Sequence, residues 1–385
     1  MKKKEPSVKI VYLSSYPPRE CGIATFAKDL VEAVDAVEPD AKSRVIALNQ
    51  GEEIYDYERR VRIQIDSNNL GAYTETADLL NNSVVDVINI QHEFGIYGGP
   101  SGTYLLALLE RLNKPVITTL HTVLPQPNDE QCQVIRKISE YSRYMVVMAN
   151  IAIPILKEKY GVPEAKIRVI PHGVPDMKPV SEEVLEKFVG GYTDRTILST
   201  FGLLSEGKGI EYAISALPAI VEQHPNVVYF VIGETHPEVR KRHGEEYRMR
   251  LMNMVSDLKM EDHVKFHNRY LTLREVLHYL QATDVYITPY LNPNQITSGT
   301  LAYALSCGKA VVSTPYLYAQ ELLSQGRGML VSFKDPQSIA DAVNKILDEP
   351  KLRTDMEKKA RIFTRSMTWP NVGKAYIKLF KEVIK

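Results

Sequence analysis

Short runs of apolar, often β-branched residues alternate along the chain with longer stretches whose apolar positions recur three or four apart. The short runs have the length of buried strands, and the longer ones have the period of one-sided helices. The first half predicts strands at Val8–Leu13, Arg44–Leu48, Val61–Ile65, Val84–Ile90, Pro115–Leu120, Tyr144–Met148 and Ile167–Ile170. The second half predicts Thr196–Phe201, Val227–Ile232, His263–Phe266, Val285–Thr288, Ala310–Ser313 and Gly328–Val331. Strands separated by helices place the chain in the α/β class, with open parallel sheets and helical crossovers. A single sheet of all these strands would be unusually large, whereas sheets of seven and six are ordinary. Two domains are therefore expected. Such sheets bind ligands beyond the carboxyl ends of their strands, so two facing sheets would share a central cleft.

The boundary falls between Pro171 and Thr196, where Pro171-His172-Gly173-Val174-Pro175 leads into a polar stretch. The expected domains are residues 1–180 and 190–365. A terminal helix carries Val372, Ala375, Tyr376 and Leu379 at helical spacing, and with Trp369 it reads as core.

Charge and composition narrow the function. Lys and Arg number 47 and so do Asp and Glu, which removes any global attraction to nucleic acid. No apolar run approaches the roughly 20 residues needed to span a bilayer. The start, Met1 to Ser7, lacks an apolar signal region, so a cytoplasmic location is expected. Lys2, Lys3 and Lys4 would touch anionic lipid only weakly. Cys21, Cys132 and Cys307 are too few and too scattered for a disulfide framework or a zinc site. No carboxylate cluster suits Mg²⁺, and no metal is expected.

Candidate chemistry lies at the strand ends. The first strand runs into a turn with Gly22 before a helix, either an anion-binding helix start or a plain turn. The fourth runs into Gln91-His92-Glu93-Phe94-Gly95-Ile96-Tyr97, where His92 and Glu93 are candidates for a general base or for holding acceptor hydroxyls, with Tyr97 beside them. His121 follows the fifth strand at the adjacent tip. In the second half, Gly202 to Gly209 contains Lys208 between two glycines, suited to a phosphate though not a Walker loop. Thr297, Ser298, Gly299 and Thr300 open a helix with hydroxyls beside free N–H groups, and N-capping accounts for only one of them. Together with Lys208 they describe a phosphate or diphosphate pocket.

These segments, taken in order, resemble the retaining glycosyltransferases of family 4, whose architecture of two Rossmann-like, doubly wound domains facing a central cleft is called GT-B. Ile170-Pro171-His172-Gly173-Val174 resembles the family's IPNGV, Gly202 to Gly209 its GRLxxxKG loop, Val264 to Tyr270 its nucleobase strand, Cys307 to Val312 its ACGxPVV stretch, and Phe363 to Trp369 its FSW element. The resemblance implies that the helix over 366–385 returns to the first domain. It makes His121 the active-site histidine, Lys208 the partner of the leaving diphosphate, and Gly22 the retained half of a paired-glycine loop. Three positions depart from the pattern. Leu203 stands where an arginine accompanies the lysine, and Gln295 and Tyr303 replace the two glutamates of the E-x7-E motif. Arg269, near the implied base pocket, is the candidate for the missing positive charge.

The resemblance thus implies a hexosyltransferase, mannosyl or glucosyl, using a GDP-mannose or UDP-glucose type of donor as substrate, with no cofactor. Its partners would be a small sugar donor and a sugar or glycoside acceptor, with no nucleic acid. A disaccharide phosphorylase using inorganic phosphate is the alternative enzyme on this scaffold, and a non-catalytic homologue is the third reading.

Overall fold

The computed structural model describes residues 7–51, 54–178 and 180–384. Lys2, Lys3 and Lys4 lie outside the described residues. The chain divides into two compact units: one takes the residues up to Gly173 together with those from Ser366 on, and the other is Val174–Arg365.

The first unit holds seven strands, β1 (Ile10–Ser14), β2 (Arg44–Asn49), β3 (Val61–Asp66), β4 (Val87–His92), β5 (Val116–Leu120), β6 (Tyr144–Val147) and β7 (Ile167–Val169). They pair in parallel in the order β3-β2-β1-β4-β5-β6-β7. The second unit holds β8 (Thr196–Phe201), β9 (Val227–Ile232), β10 (Val264–His267), β11 (Val285–Thr288), β12 (Ala310–Ser313) and β13 (Met329–Leu330). Their parallel order is β10-β9-β8-β11-β12-β13. Each expected strand is present. The central strands β1 and β9 are buried at every position, because helices cover both faces of a parallel sheet and leave no solvent side. Edge strand β3 instead alternates between exposed and partly buried positions along most of its length.

Strands β1 and β4 begin more than one residue later than the apolar runs suggest. The Asp86 carboxylate accepts the Lys9 backbone N–H at 2.8 Å, and the Lys9 carbonyl accepts from the Asp86 N–H at 2.9 Å. This side-chain hook replaces the ladder at that level, and Val84 lies outside it, well exposed.

The core of the first unit gathers Tyr12, Phe26, Leu30 and Val45 with Val372, Tyr376 and Phe380 of the terminal helix Trp369–Val383. That helix lies against the helix Gly22–Val37: a Cβ on Gly373 would stand 2.6 Å from the Ala33 carbonyl oxygen. Leu198, Ile214, Leu217, Tyr229, Val312 and Val343 centre the core of the second unit. No helix among the described residues is long and apolar enough to cross a membrane.

Candidate active site

In the first unit, β4 and β5 are neighbours with His92 level with Leu120. Side chains alternate between the two faces of a strand, so Asn89 and Gln91 share a face with Thr119 and His121, and His92 turns to the other. The polar chain follows from that parity. Asn89 Nδ2 donates to the Ile117 carbonyl at 3.2 Å, Gln91 Nε2 donates to Asn89 Oδ1, and the remaining Gln91 Oε1 lies 2.9 Å from His121 Nε2. An amide oxygen only accepts, so the chain places the proton of neutral His121 on Nε2 and leaves Nδ1 as an acceptor. Burial, with smaller contributions from His172 and His92, pushes the His121 pKa down to about 3. Phe26 meets its ring edge-on at a centroid distance of 4.9 Å.

Glu93 joins the two tips. Its carboxylate accepts from the Thr122 hydroxyl and, at 3.0 Å, from the Phe94 N–H. Burial raises its pKa against both bonds. Gly22 opens its helix without a side-chain cap, and a Cβ there would meet nothing within 4 Å.

His92 and Tyr97 do not belong with these residues. The His92 ring is 0% exposed, neither nitrogen has a partner among the described residues, and it stacks on Tyr97 with centroids 5.8 Å apart. Tyr97 is buried as well and donates its hydroxyl to the Gln91 carbonyl at 2.8 Å. Of the three expected acceptor-binding residues, His92, Glu93 and Tyr97, the first and last are thus buried in the core, because β4 turns His92 away from His121.

In the second unit the sheet order reverses between β8 and β11, the point at which such sheets bind ligands. The loops after β8, β9 and β11 are stitched together there. Leu204 bridges Thr235, and the Leu291 N–H donates to the Gly207 carbonyl at 2.9 Å. Gly209 has φ +62°, and a Cβ on it would stand 2.2 Å from the Pro289 carbonyl oxygen, so any side chain would part the loops.

This stitching sets Lys208 Nζ 4.0 Å from the centre of the Tyr290 ring. The Tyr290 hydroxyl bonds Thr300 Oγ1 at 2.9 Å, which lies 3.0 Å from Ser298 Oγ, and Ser298 caps the helix Gly299–Ser306 by accepting the Leu301 N–H. Burial raises the Tyr290 pKa, but the Lys208 ammonium and Thr300 outweigh it and leave the phenol below its ordinary value. The expected pocket residues therefore meet through a tyrosine that motif spacing did not single out. Of the three hydroxyls, Ser298 caps, Thr300 holds Tyr290, and buried Thr297 Oγ1 has no partner among the described residues.

Cations around this loop are paired: Arg240 with Glu234 at 3.3 Å, Arg250 with Glu206 at 2.9 Å and Arg242 with Glu238 at 4.0 Å. Lys208 has no carboxylate within ion-pair distance among the described residues. It rests on a ring face, an arrangement that leaves its charge open to an anion. Arg269 lies apart from Lys208 in the sheet: it follows edge strand β10, two strands from β8, with its guanidinium on Glu275 at 2.8 Å.

Residues 22–177 match the model of Glycosyltransferase Family 4, and residues 182–363 that of Glycosyl transferases group 1. The chain belongs to this family. A D-inositol 3-phosphate glycosyltransferase of Corynebacterium urealyticum is 24% identical over 64% of the chain and 58% of the relative. A GDP-mannose-dependent monoacylated alpha-(1-6)-phosphatidylinositol monomannoside mannosyltransferase of Corynebacterium glutamicum is 20% identical over 94% and 95%. The chain spans just under three fifths of the length of the first curated relatives it matches, 59% and 58%. Among solved structures, Anabaena HepE in complex with UDP superposes with TM-score 0.77 over 97% of the chain and 100% of its own at 16% identity. Sucrose-phosphate synthase from Thermosynechococcus elongatus does so with TM-score 0.78 over 97% and 98% at 19% identity. The fold is GT-B.

Neither residue at the family's glutamate positions, Gln295 or Tyr303, carries a carboxylate. The Gln295 amide donates to the Thr297 carbonyl of its own loop at 3.0 Å, and Tyr303 is 8% exposed.

Proposed function

We propose that the protein transfers a hexosyl unit, mannosyl or glucosyl, from a nucleotide-diphosphate sugar to a hydroxyl of a sugar or glycoside. One observation carries the reading: Lys208 is an unpaired cation at the switch point of the family-matched second unit, beside a capped helix start. In the reaction the bond from the sugar's anomeric carbon to the diphosphate oxygen breaks, the acceptor oxygen bonds that carbon, and the acceptor proton leaves. Negative charge builds on the departing diphosphate, where a preplaced ammonium stabilises it more than in the ground state.

In the first unit, His121 offers a neutral ring whose orientation is fixed by Gln91, suited to contacting the transferred sugar. Glu93 lies at the neighbouring tip as an acceptor-side carboxylate. The donor classes to test are set by relatives: a mannosyltransferase named as GDP-mannose-dependent, and a neighbour crystallised with UDP. Calorimetry with UDP, GDP and ADP, followed by transfer assays with GDP-mannose and UDP-glucose, tests this. Binding of none of the three nucleotides would remove the donor. Release of a sugar 1-phosphate from disaccharide and orthophosphate, without any nucleotide, would make the protein a phosphorylase instead.

A further inference from the structure

Beside Lys208 stands a side chain that the reading above leaves without a task. His236 follows β9, and its backbone is fixed to the Lys208 loop: the Leu204 N–H donates to the Glu234 carbonyl at 2.7 Å, and the His236 N–H donates to the Leu204 carbonyl at 2.9 Å. Because the Leu204–Thr235 bridge is parallel, His236 lies one step beyond it, alongside the turn that carries Ser205 to Lys208. Its Nδ1 accepts the Glu238 backbone N–H at 3.2 Å. That bond fixes the tautomer of the neutral ring: Nδ1 is the acceptor, so Nε2 carries the hydrogen. The ring is half-buried, and no acceptor for Nε2 occurs among the described residues.

The two side chains feel each other. Burial first, and then the Lys208 charge, lower the His236 pKa, with Glu238 acting weakly in the other direction. An arginine in this place would set a permanent second cation against Lys208 whenever the site is empty. A neutral imidazole avoids that repulsion and still presents an N–H. Leu203, at the position where the family resemblance leads one to expect arginine, has no side-chain donor to give.

We propose that His236 is the second phosphate-binding side chain of this unit, its Nε2–H taking the diphosphate contact that Leu203 cannot make. The proposal rests on the reading that Lys208 receives a diphosphate. It explains how a site without the expected arginine holds two phosphoryl groups: one permanent cation and one neutral donor, on adjacent strand tips joined by backbone bonds.

The test is calorimetric titration of the full chain with inorganic pyrophosphate, UDP and GDP. His236→Asn keeps a side-chain acceptor for the Glu238 N–H but is too short to reach past it. Its expected effect is about a tenfold to hundredfold loss of affinity, the worth of one hydrogen bond to a charged group. That loss should be the same for pyrophosphate as for the nucleotides, because the missing contact is to phosphate. His236→Gln, which restores a donor, should recover part of it. Independently of any variant's folding, the His236 ring resonances of the wild-type chain should shift on pyrophosphate addition. Wild-type affinity in His236→Asn with binding lost in Lys208→Ala would overturn the proposal and leave the Lys208 reading standing. Unmoved His236 resonances at saturating pyrophosphate would overturn it as well. Failure of the wild-type chain to bind any of the three probes would remove both readings together.

Discussion

Replacing Lys208 by alanine removes one ammonium and leaves the tyrosine beneath it in place. A unit charge about 4 Å from another is worth roughly 4 kcal/mol at an effective dielectric near 20. Lys208 is half-buried, so solvent and salt cut that to about 2 kcal/mol. If about one further negative charge develops on the diphosphate as the sugar departs, Lys208→Ala should lower kcat about thirtyfold. The ground-state charge already on the diphosphate adds a comparable loss of donor binding, so kcat/KM should fall roughly a thousandfold. Steady-state kinetics with saturating and limiting donor separate the two. Folding should be little affected, because the ammonium rests on the Tyr290 ring, a contact worth about 1–2 kcal/mol at a partly desolvated site. Lys208→Arg should recover part of both losses. A folded Lys208→Ala variant within threefold of wild-type kcat/KM would refute the reasoning, since no other cation described at these tips is free of a carboxylate to take its place.

Four further outcomes are expected. His92, His121 and His172 have pKa values pushed down to about 3, 3 and 4, chiefly by burial; the unfolded chain binds protons there below about pH 6.5 and the folded chain does not, so stability should fall as pH drops from 6.5 toward 4. His92→Leu should flatten that acid loss in melts at pH 5 while keeping transfer, and a folded but inactive His92→Leu would return His92 to the site. Gln91→Glu puts a carboxylate against His121 Nε2 and should raise the His121 pKa by about 1–3 units, read by ¹⁵N-histidine titration; an unchanged value would mean the ring is not held by residue 91. Arg269→Ala should leave nucleotide affinity within twofold, because its guanidinium is spent on Glu275, and a tenfold loss in calorimetry would place it in the pocket after all. Transfer should survive exhaustive EDTA, and activity restored only by Mg²⁺ would show that a metal ion, and not the side chains of this unit, meets the charge of the diphosphate.

The strands were legible because a strand buried on both faces must be apolar along its whole length, as Val227 to Ile232 is. The strand starts were less so, since the Asp86 hook on Lys9 is a side-chain bond that no apolar pattern records. Lys208 and the Ser298–Thr300 turn could be named from glycine spacing and hydroxyl content. Their link through Tyr290 depends on which loops touch, and that is set by the sheet order. His92 shows a signal available but passed over. Counting by twos from Asn89 through Gln91, against Thr119 and His121, assigns the glutamine rather than the histidine to the polar face. Arg269 makes a different point: closeness in the pattern of a family motif is not closeness in space, and this arginine follows edge strand β10, two strands from the lysine loop. His236 lay in plain sight after β9, but only the backbone bonds of Leu204 tie it to the lysine loop.

The terminal helix gives the chain an unusual order of assembly. Phe380 packs edge-on to Tyr12 with centroids 6.2 Å apart, and Tyr376 lies 3.0 Å, oxygen to oxygen, from Thr119. The second unit is therefore an insertion between two parts of the first. Val174–Arg365 carries all the residues of its own core, whereas the first unit lacks a wall until residues nearly two hundred positions further along the chain close it. A released chain truncated before Trp369 would expose Tyr12 and Phe26 to chaperones, while its second unit should still resist proteolysis.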